Sequence, residues 1–213
     1  AASLDAARAL GIDGVALGAR FAVGERRREE APFREWFAAH GFDVVEPVAT
    51  QEGEGDLLLV GETILAGYGF RSQLDSHAEV ADVFGREVVS LRLVDPSYYH
   101  LDTAVCVLDP VQGPGGVERA NIAYLPSAFD ERGQGELRER FPDAIRVPAA
   151  DPASLELNAV SDGLNVVLSP PVTSLDAQLR ERGYHPIHVD VSELHLGGGG
   201  IKCCTLTLRG GTP

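Results

Sequence analysis

With 213 residues the chain is long enough for one domain with a sizeable core, or for two small ones, and its 44% hydrophobic content is that of a globular protein. A net charge of −14, from 32 acidic against 18 basic residues, argues against nucleic acid and anionic membrane surfaces, both of which need a basic footprint. No signal-peptide pattern and no apolar run of membrane-spanning length is recognisable, and three sparse cysteines (Cys106, Cys203 and Cys204) do not make a disulfide framework. No CxxC or HxxxH spacing points to zinc, so a reducing cytoplasm is the expected location.

Residues 1–10 read as a short helical or irregular lead-in. An amphipathic pattern predicts a helix over 31–40, with Phe33, Trp36 and Phe37 on one face. A strand is predicted over 43–48, then a polar loop over 51–56, then a hairpin pairing 57–60 with 63–67 across Gly61-Glu62. The second helix is predicted over 74–84 and stops at Gly85. Its strand is 88–94, its loop 95–100, and its hairpin pairs 103–108 with 120–125 around the glycine-rich bend 111–117. The third helix, 127–140, leads to a strand at 144–147. Residues 157–160 and 165–168 then pair across Asp162-Gly163. A fourth helix, 174–182, ends at Gly183 and leads to a strand at 187–191.

The same grammar thus recurs in units of about 40–55 residues, ordered strand, strand, helix, strand, a period that suggests a propeller-like array. In such an array the loops after the post-helix strands meet near one axis. Those loops carry Glu52 and Asp56, then His100 and Asp102, then Asn158, then Cys203.

The last of them is the most pointed. Four glycines, Gly197 to Gly200, run into Ile201-Lys202-Cys203-Cys204 and an alternating segment to Arg209 that predicts a strand. Glycine lets backbone approach a ligand closely, and a thiol beside such a loop is placed to attack a bound carbon. Lys202, next in sequence, would favour the thiolate. On a regular strand Cys204 would face away from Cys203, and Cys106, in an apolar strand, reads as core. A glycine turn followed by buried cysteines is the simpler alternative for this segment alone; the joint pattern of loops weighs against it. A nucleophilic thiol, a histidine to carry protons and several carboxylates suit a planar, cationic, multi-donor substrate, because carboxylates clamp guanidinium groups through paired charge-assisted hydrogen bonds. If His100 to Asp102 is a strand, i and i+2 spacing sends both side chains to one face.

These segments resemble the guanidine-modifying enzymes of the pentein fold: arginine deiminases, amidinotransferases and, above all, dimethylarginine dimethylaminohydrolases. The resemblance rests on Glu52-Gly53-Glu54-Gly55-Asp56, Gly67 to Ser72, Tyr99 to Thr103, Leu157 to Val160 and Gly199 to Thr205, and spans nearly all of residues 15–209. It implies an α/β propeller of ββαβ blades, in a single domain over 1–213. About four of an expected five blades are present, roughly 11–48, 49–94, 95–148 and 149–191, with a C-terminal strand at 203–209 completing the array. The segment that supplies the first blade is missing or shortened, and a homodimer is one way to cover the faces this leaves open.

The resemblance also implies roles. Cys203 matches the nucleophile, His100 the general acid/base, and Asp56 and Asp102 the guanidinium-binding carboxylates. Glu52 matches the acid that orients the histidine. The usual family pattern is acid-Gly-Gly-Asp, so one residue is extra here, and Glu52 is preferred over Glu54. Arg71, and Arg26 in preference to Arg27, match residues that hold the substrate α-carboxylate, and Asn158 is grouped with the substrate-binding residues. The implied reaction is covalent hydrolysis of a small-molecule guanidino substrate through a thiouronium, with no metal or organic cofactor. Hydrolysis of N-methylated arginine comes first, arginine deimination second and amidino transfer third. A non-catalytic binding propeller is the alternative from a different class.

Overall fold

The computed structural model describes residues 14–109, 120–148, 155–169 and 173–207. The predicted lead-in over 1–10, the bend at 111–117 and the end of the predicted C-terminal strand lie outside them.

One motif repeats. Strands β3 (Leu57–Val60) and β4 (Thr63–Tyr68) form an antiparallel hairpin about Gly61. Gly61 has φ +59°, a left-handed conformation that costs a glycine little. Helix α2 (Ser76–Phe84) carries the chain back, and β5 (Glu87–Arg92) runs parallel to β4. The same hairpin-plus-crossover is made by β6 (Val105–Val107), β7 (Ile122–Tyr124), α3 (Glu131–Arg140) and β8 (Ile145–Arg146). It recurs in β9 (Val160–Ser161), β10 (Asn165–Leu168), α4 (Thr173–Glu181) and β11 (His185–His188). Ahead of these, β1 (Gly14–Leu17), α1 (Glu30–Ala39) and β2 (Phe42–Val45) supply, among the described residues, the parallel crossover half in a two-stranded sheet. The result is a mixed α/β fold of several small sheets without a closed barrel.

The core cluster comes from the three complete units and the turns between them. Leu65, Leu91, Leu101, Tyr124, Phe129 and Leu168 are among its fully buried members. The first unit stands apart from it. None of the α1 residues is buried, and Phe33, expected on the packed face, is 45% exposed. Trp36 stacks on His40 and Phe37 meets Phe42 edge-on, so this helix packs mainly on its own unit.

Element boundaries moved where capping decided them. The third helix starts at Glu131 rather than at residue 127, because the Asp130 carboxylate accepts the Gly133 N–H (2.8 Å) and caps it. One element goes beyond the predicted set, and one larger expectation fails. Residues 192–196 form a short helix, α5 (Ser192–Leu196), before the glycines. The segment after them is not a strand in its described part: Lys202–Cys204 is a 3₁₀ turn, and Thr205 N–H bonds back to the Lys202 carbonyl. A strand needs a neighbouring backbone to complete its ladder, and among the described residues none lies alongside.

Candidate active site

Each loop that follows a parallel crossover strand turns toward the same place. The chain after β2 makes a 3₁₀ turn, Gly53–Gly55, whose tightness rests on Gly53 at φ +65° and on Gly55 lying flat beneath the His100 ring. A Cβ on Gly55 would stand 3.4 Å from the imidazole. Glu52 and Asp56 flank this turn. After β5 the chain makes a second 3₁₀ turn, Leu101–Thr103, with His100 extended just before it. The loop before β9 brings Asn158, and the turn after α5 brings Cys203.

The Glu52 carboxylate is buried and accepts a 2.7 Å hydrogen bond from His100 Nε2. Its other oxygen accepts the Ala22 N–H (3.0 Å), while Arg26 and Arg71 approach the oxygen that faces His100, at 3.5 and 3.6 Å. Burial works against ionising Glu52, but the bonds from His100 and Ala22 and the nearby cations outweigh it, so its pKa lies below the usual value. Burial likewise disfavours imidazolium at His100. The bond to Glu52 and the fields of Asp56, Asp102 and Glu52 prevail, and its pKa is raised.

Asp102 is 2% exposed. Its Oδ2 faces Cys203 Sγ at 3.5 Å, and its Oδ1 is buried with no hydrogen-bond partner among the described residues. Burial lifts its pKa to about 6 against the pull of His100. Cys203 is solvent-accessible. Desolvation and the Asp102 charge raise its pKa, partly opposed by the Gly200 N–H and the Asn158 amide. The resting site therefore keeps Cys203 as a thiol.

Glu52, His100, Asp102 and Cys203 line one cavity of about 920 Å³, together with Arg26 and Arg71. Arg71 also stacks over Tyr99 (4.6 Å to the ring centre), and Arg26 over Phe21 (4.2 Å) while paired with Glu29. Apolar residues Val15, Phe33, Phe37 and Phe84 extend the same cavity past the first unit.

Two expected substrate contacts are corrected. Asp56 is 1% exposed and lies behind the cavity wall. Its Oδ2 accepts from Ser72 Oγ–H (2.6 Å) and N–H (3.3 Å), and its Oδ1 accepts from the Leu101 N–H (3.0 Å). Oδ1 is thus spent on the turn that follows His100 and Oδ2 on Ser72. Asn158 is fully buried: its amide donates to Cys203 Sγ (3.1 Å) and to the Asp102 carbonyl (3.2 Å), and its oxygen accepts the Cys203 N–H (3.3 Å). It holds the nucleophile turn and does not line the cavity.

Three local arguments also change. His100 and Asp102 converge through a 3₁₀ turn, not through strand alternation. Lys202 pairs with Glu54 at 2.5 Å and does not bond the thiol. Cys204 Sγ bonds the Ile201 carbonyl (3.1 Å) within the turn, so no strand face separates it from Cys203. Cys106 is buried, as a core residue would be, with its thiol pushed up to about 12. Ser72 and Tyr99 were missed as site residues. Ser72 Oγ accepts the Glu52 N–H (3.0 Å) while donating to Asp56, and Tyr99 OH donates to the Gly198 carbonyl (3.4 Å). Both sit inside segments that carried the resemblance.

Among the described residues no group of three or more His, Cys, Asp or Glu is arranged to hold a metal ion, and no helix is long and apolar enough to cross a membrane.

The chain matches no protein-family model. It superposes on the substrate-bound N-terminal domain of ArgZ, a cyanobacterial arginine dihydrolase, with a TM-score of 0.81 and 35% identity, over 92% of this chain and 70% of that one. The chain belongs to the guanidine-modifying (pentein) family. Within it, N(G),N(G)-dimethylarginine dimethylaminohydrolase of Mycobacterium tuberculosis is 50% identical over 195 residues, covering 92% of this chain and 62% of that protein. The bifunctional arginine dihydrolase/ornithine cyclodeaminase ArgZ of Synechocystis is 37% identical over 193 residues, but the match covers 26% of its length. The chain thus spans about three fifths of the M. tuberculosis relative and about a quarter of ArgZ. A dimethylarginine dimethylaminohydrolase adduct shares the fold, with a TM-score of 0.69 at 20% identity.

Proposed function

We propose that this chain carries the catalytic centre of a hydrolase that converts an N-methylated arginine to citrulline and the methylamine. The observation that supports this best is the buried, unpartnered Oδ1 of Asp102 beside the Cys203 thiol. A buried carboxylate oxygen without a donor is costly unless a cation completes it. A guanidinium docked there would supply both the N–H and the charge, and would place its carbon near the sulfur.

The same docking would remove the repulsion that raises the thiol pKa, so the substrate cation promotes loss of the Cys203 proton to solvent. The thiolate adds to the guanidinium carbon, forming the C–S bond. His100, charged and steadied by Glu52, gives its proton to the leaving amine as the C–N bond breaks. A thiouronium remains. Water then attacks it and His100 takes one of the water protons; as the adduct collapses the C–S bond breaks and the second proton goes to the departing sulfur, releasing the ureido product and restoring the Cys203 thiol. Arg71 and Arg26 would hold the substrate α-carboxylate. Asp56, Ser72 and Asn158 act by positioning.

Arginine deimination is the second reading, favoured by the ArgZ match. We take the units as blades of one α/β propeller domain, with the two-stranded β1–β2 sheet of the described residues belonging to a further blade. The test incubates the protein with asymmetric dimethylarginine, monomethylarginine and arginine and measures citrulline. Methylated substrates should give product that is lost in Cys203→Ser. Product from arginine alone would favour the second reading. No product from any of them would overturn the proposal.

A further inference from the structure

The extra residue of Glu52-Gly53-Glu54-Gly55-Asp56 has a place of its own. Glu52 turns to His100, and Asp56 turns beneath the Leu101 turn. Glu54, between them, reaches the nucleophile turn. Its Oε2 lies 2.5 Å from Lys202 Nζ and accepts the Thr207 N–H at 3.1 Å. Both side chains of the ion pair are largely buried, at 13% and 21% exposed. The turn carrying Cys203 is therefore held from two sides: Asn158 binds the backbone and sulfur of Cys203, and Glu54 binds the side chain of the preceding residue and the backbone of Thr207.

We propose that Glu54 is a positioning residue that holds the Lys202 cation away from Cys203 and Asp102, so that ionisation of the nucleophile waits for the cationic substrate. Among the described residues, the charged and titratable groups around Cys203 include Asp102 at 3.5 Å, His100, Glu52, Arg26 and Arg71 in the same cavity, and Lys202 with its charge answered by Glu54. Lys202 already acts on Asp102, lowering its pKa in opposition to burial. An unpaired ammonium on a flexible stem one residue from the thiol would swing toward that buried carboxylate and stabilise the thiolate beside it. Its charge would also compete with an incoming guanidinium for Asp102. The pair thus trades early thiolate formation for an empty cation site. This rests on the proposed guanidinium chemistry for its purpose, but its physical effect on the thiol does not depend on turnover.

The experiment follows alkylation of Cys203 by iodoacetamide against pH in the substrate-free protein, with fragment-ion mass spectrometry to separate it from Cys204. Glu54→Gln should alkylate Cys203 roughly three- to tenfold faster at neutral pH, corresponding to a shift of up to about one pH unit in the profile. Glu54→Gln combined with Lys202→Gln should return the profile to that of the parent, because no cation is left free. If the parent is active, Glu54→Gln should also raise KM more than it lowers kcat. An unchanged alkylation profile in Glu54→Gln, or a shift that persists in the double variant, overturns the proposal. Should Glu54→Gln fail to fold, Glu54→Asp, whose shorter carboxylate keeps its charge, must accelerate alkylation by a smaller factor, and no acceleration overturns it. Failure of the parent to produce citrulline would sink the hydrolase proposal alone, since alkylation reads the thiol directly.

Discussion

Asp102→Asn should make the protein more stable and less active, and the two effects should depend on pH differently. In the folded chain the Asp102 pKa is raised from 3.8 to about 6 by burial. An acid whose folded pKa is raised binds more protons when folded, so stability falls as pH rises from about 4 to about 6 and stays lower above that. The shift corresponds to about 3 kcal/mol of destabilisation at neutral pH, absent below about pH 4. Asparagine carries no charge and keeps the shape. Its substitution should therefore raise Tm at pH 7.5 by roughly 6–12 °C for a chain of this size, with little change near pH 4. Activity should move the other way. Losing a charge-assisted hydrogen bond to the substrate cation removes about 2–3 kcal/mol of binding, a roughly 30- to 150-fold drop in kcat/KM. Thermal unfolding at both pH values and citrulline production measure the two arms. An Asp102→Asn variant no more stable than the parent at pH 7.5, or equally active, would refute the view that this carboxylate is kept buried and unsatisfied for a cation.

Glu52→Gln replaces the charged acceptor that raises the His100 pKa with a neutral amide. The limb of the pH–rate profile on which His100 loses its proton should move to lower pH, with kcat reduced about 100-fold. Gly200→Ala places a Cβ 2.6 Å from Asn158 Oδ1, so the Cys203 turn must shift. Turnover should fall at least tenfold while far-UV circular dichroism stays native, since a small misplacement of a nucleophile is enough. Arg71→Ala should raise KM for methylated arginine several-fold and leave kcat within about threefold, as expected for uniform binding of a remote carboxylate. A loss confined to kcat would reassign Arg71 to the chemistry.

Much of the candidate site was legible because it is built from loops at equivalent points of a repeat. Period and residue type alone placed Glu52, His100, Asp102 and Cys203 at one end of successive units, and the cavity joins all four. The local geometry behind that placement was not legible. His100 and Asp102 meet across a 3₁₀ turn whose shape depends on Asp56 and Ser72, residues far away in sequence. Asp56 and Asn158 were recognised as important but given the wrong partner. A buried carboxylate or amide can hold either a ligand or a backbone, and only its surroundings decide which.

The amino-acid order determined the strand–strand–helix–strand grammar, because apolar periodicity and glycine or aspartate stops are local properties of the chain. It also determined which polar groups the inter-unit loops carry. Tertiary structure alone decided how those groups divide their labour. Glu52 turns to His100 and Glu54 to Lys202, although only Gly53 separates them, because Gly53 turns the backbone between them. It also decided that the Cys203 segment is a turn held by Asn158 and Glu54 instead of a strand. Hydrogen bonds over 45 and 148 residues of sequence separation hold it, and no local pattern encodes contacts at that range.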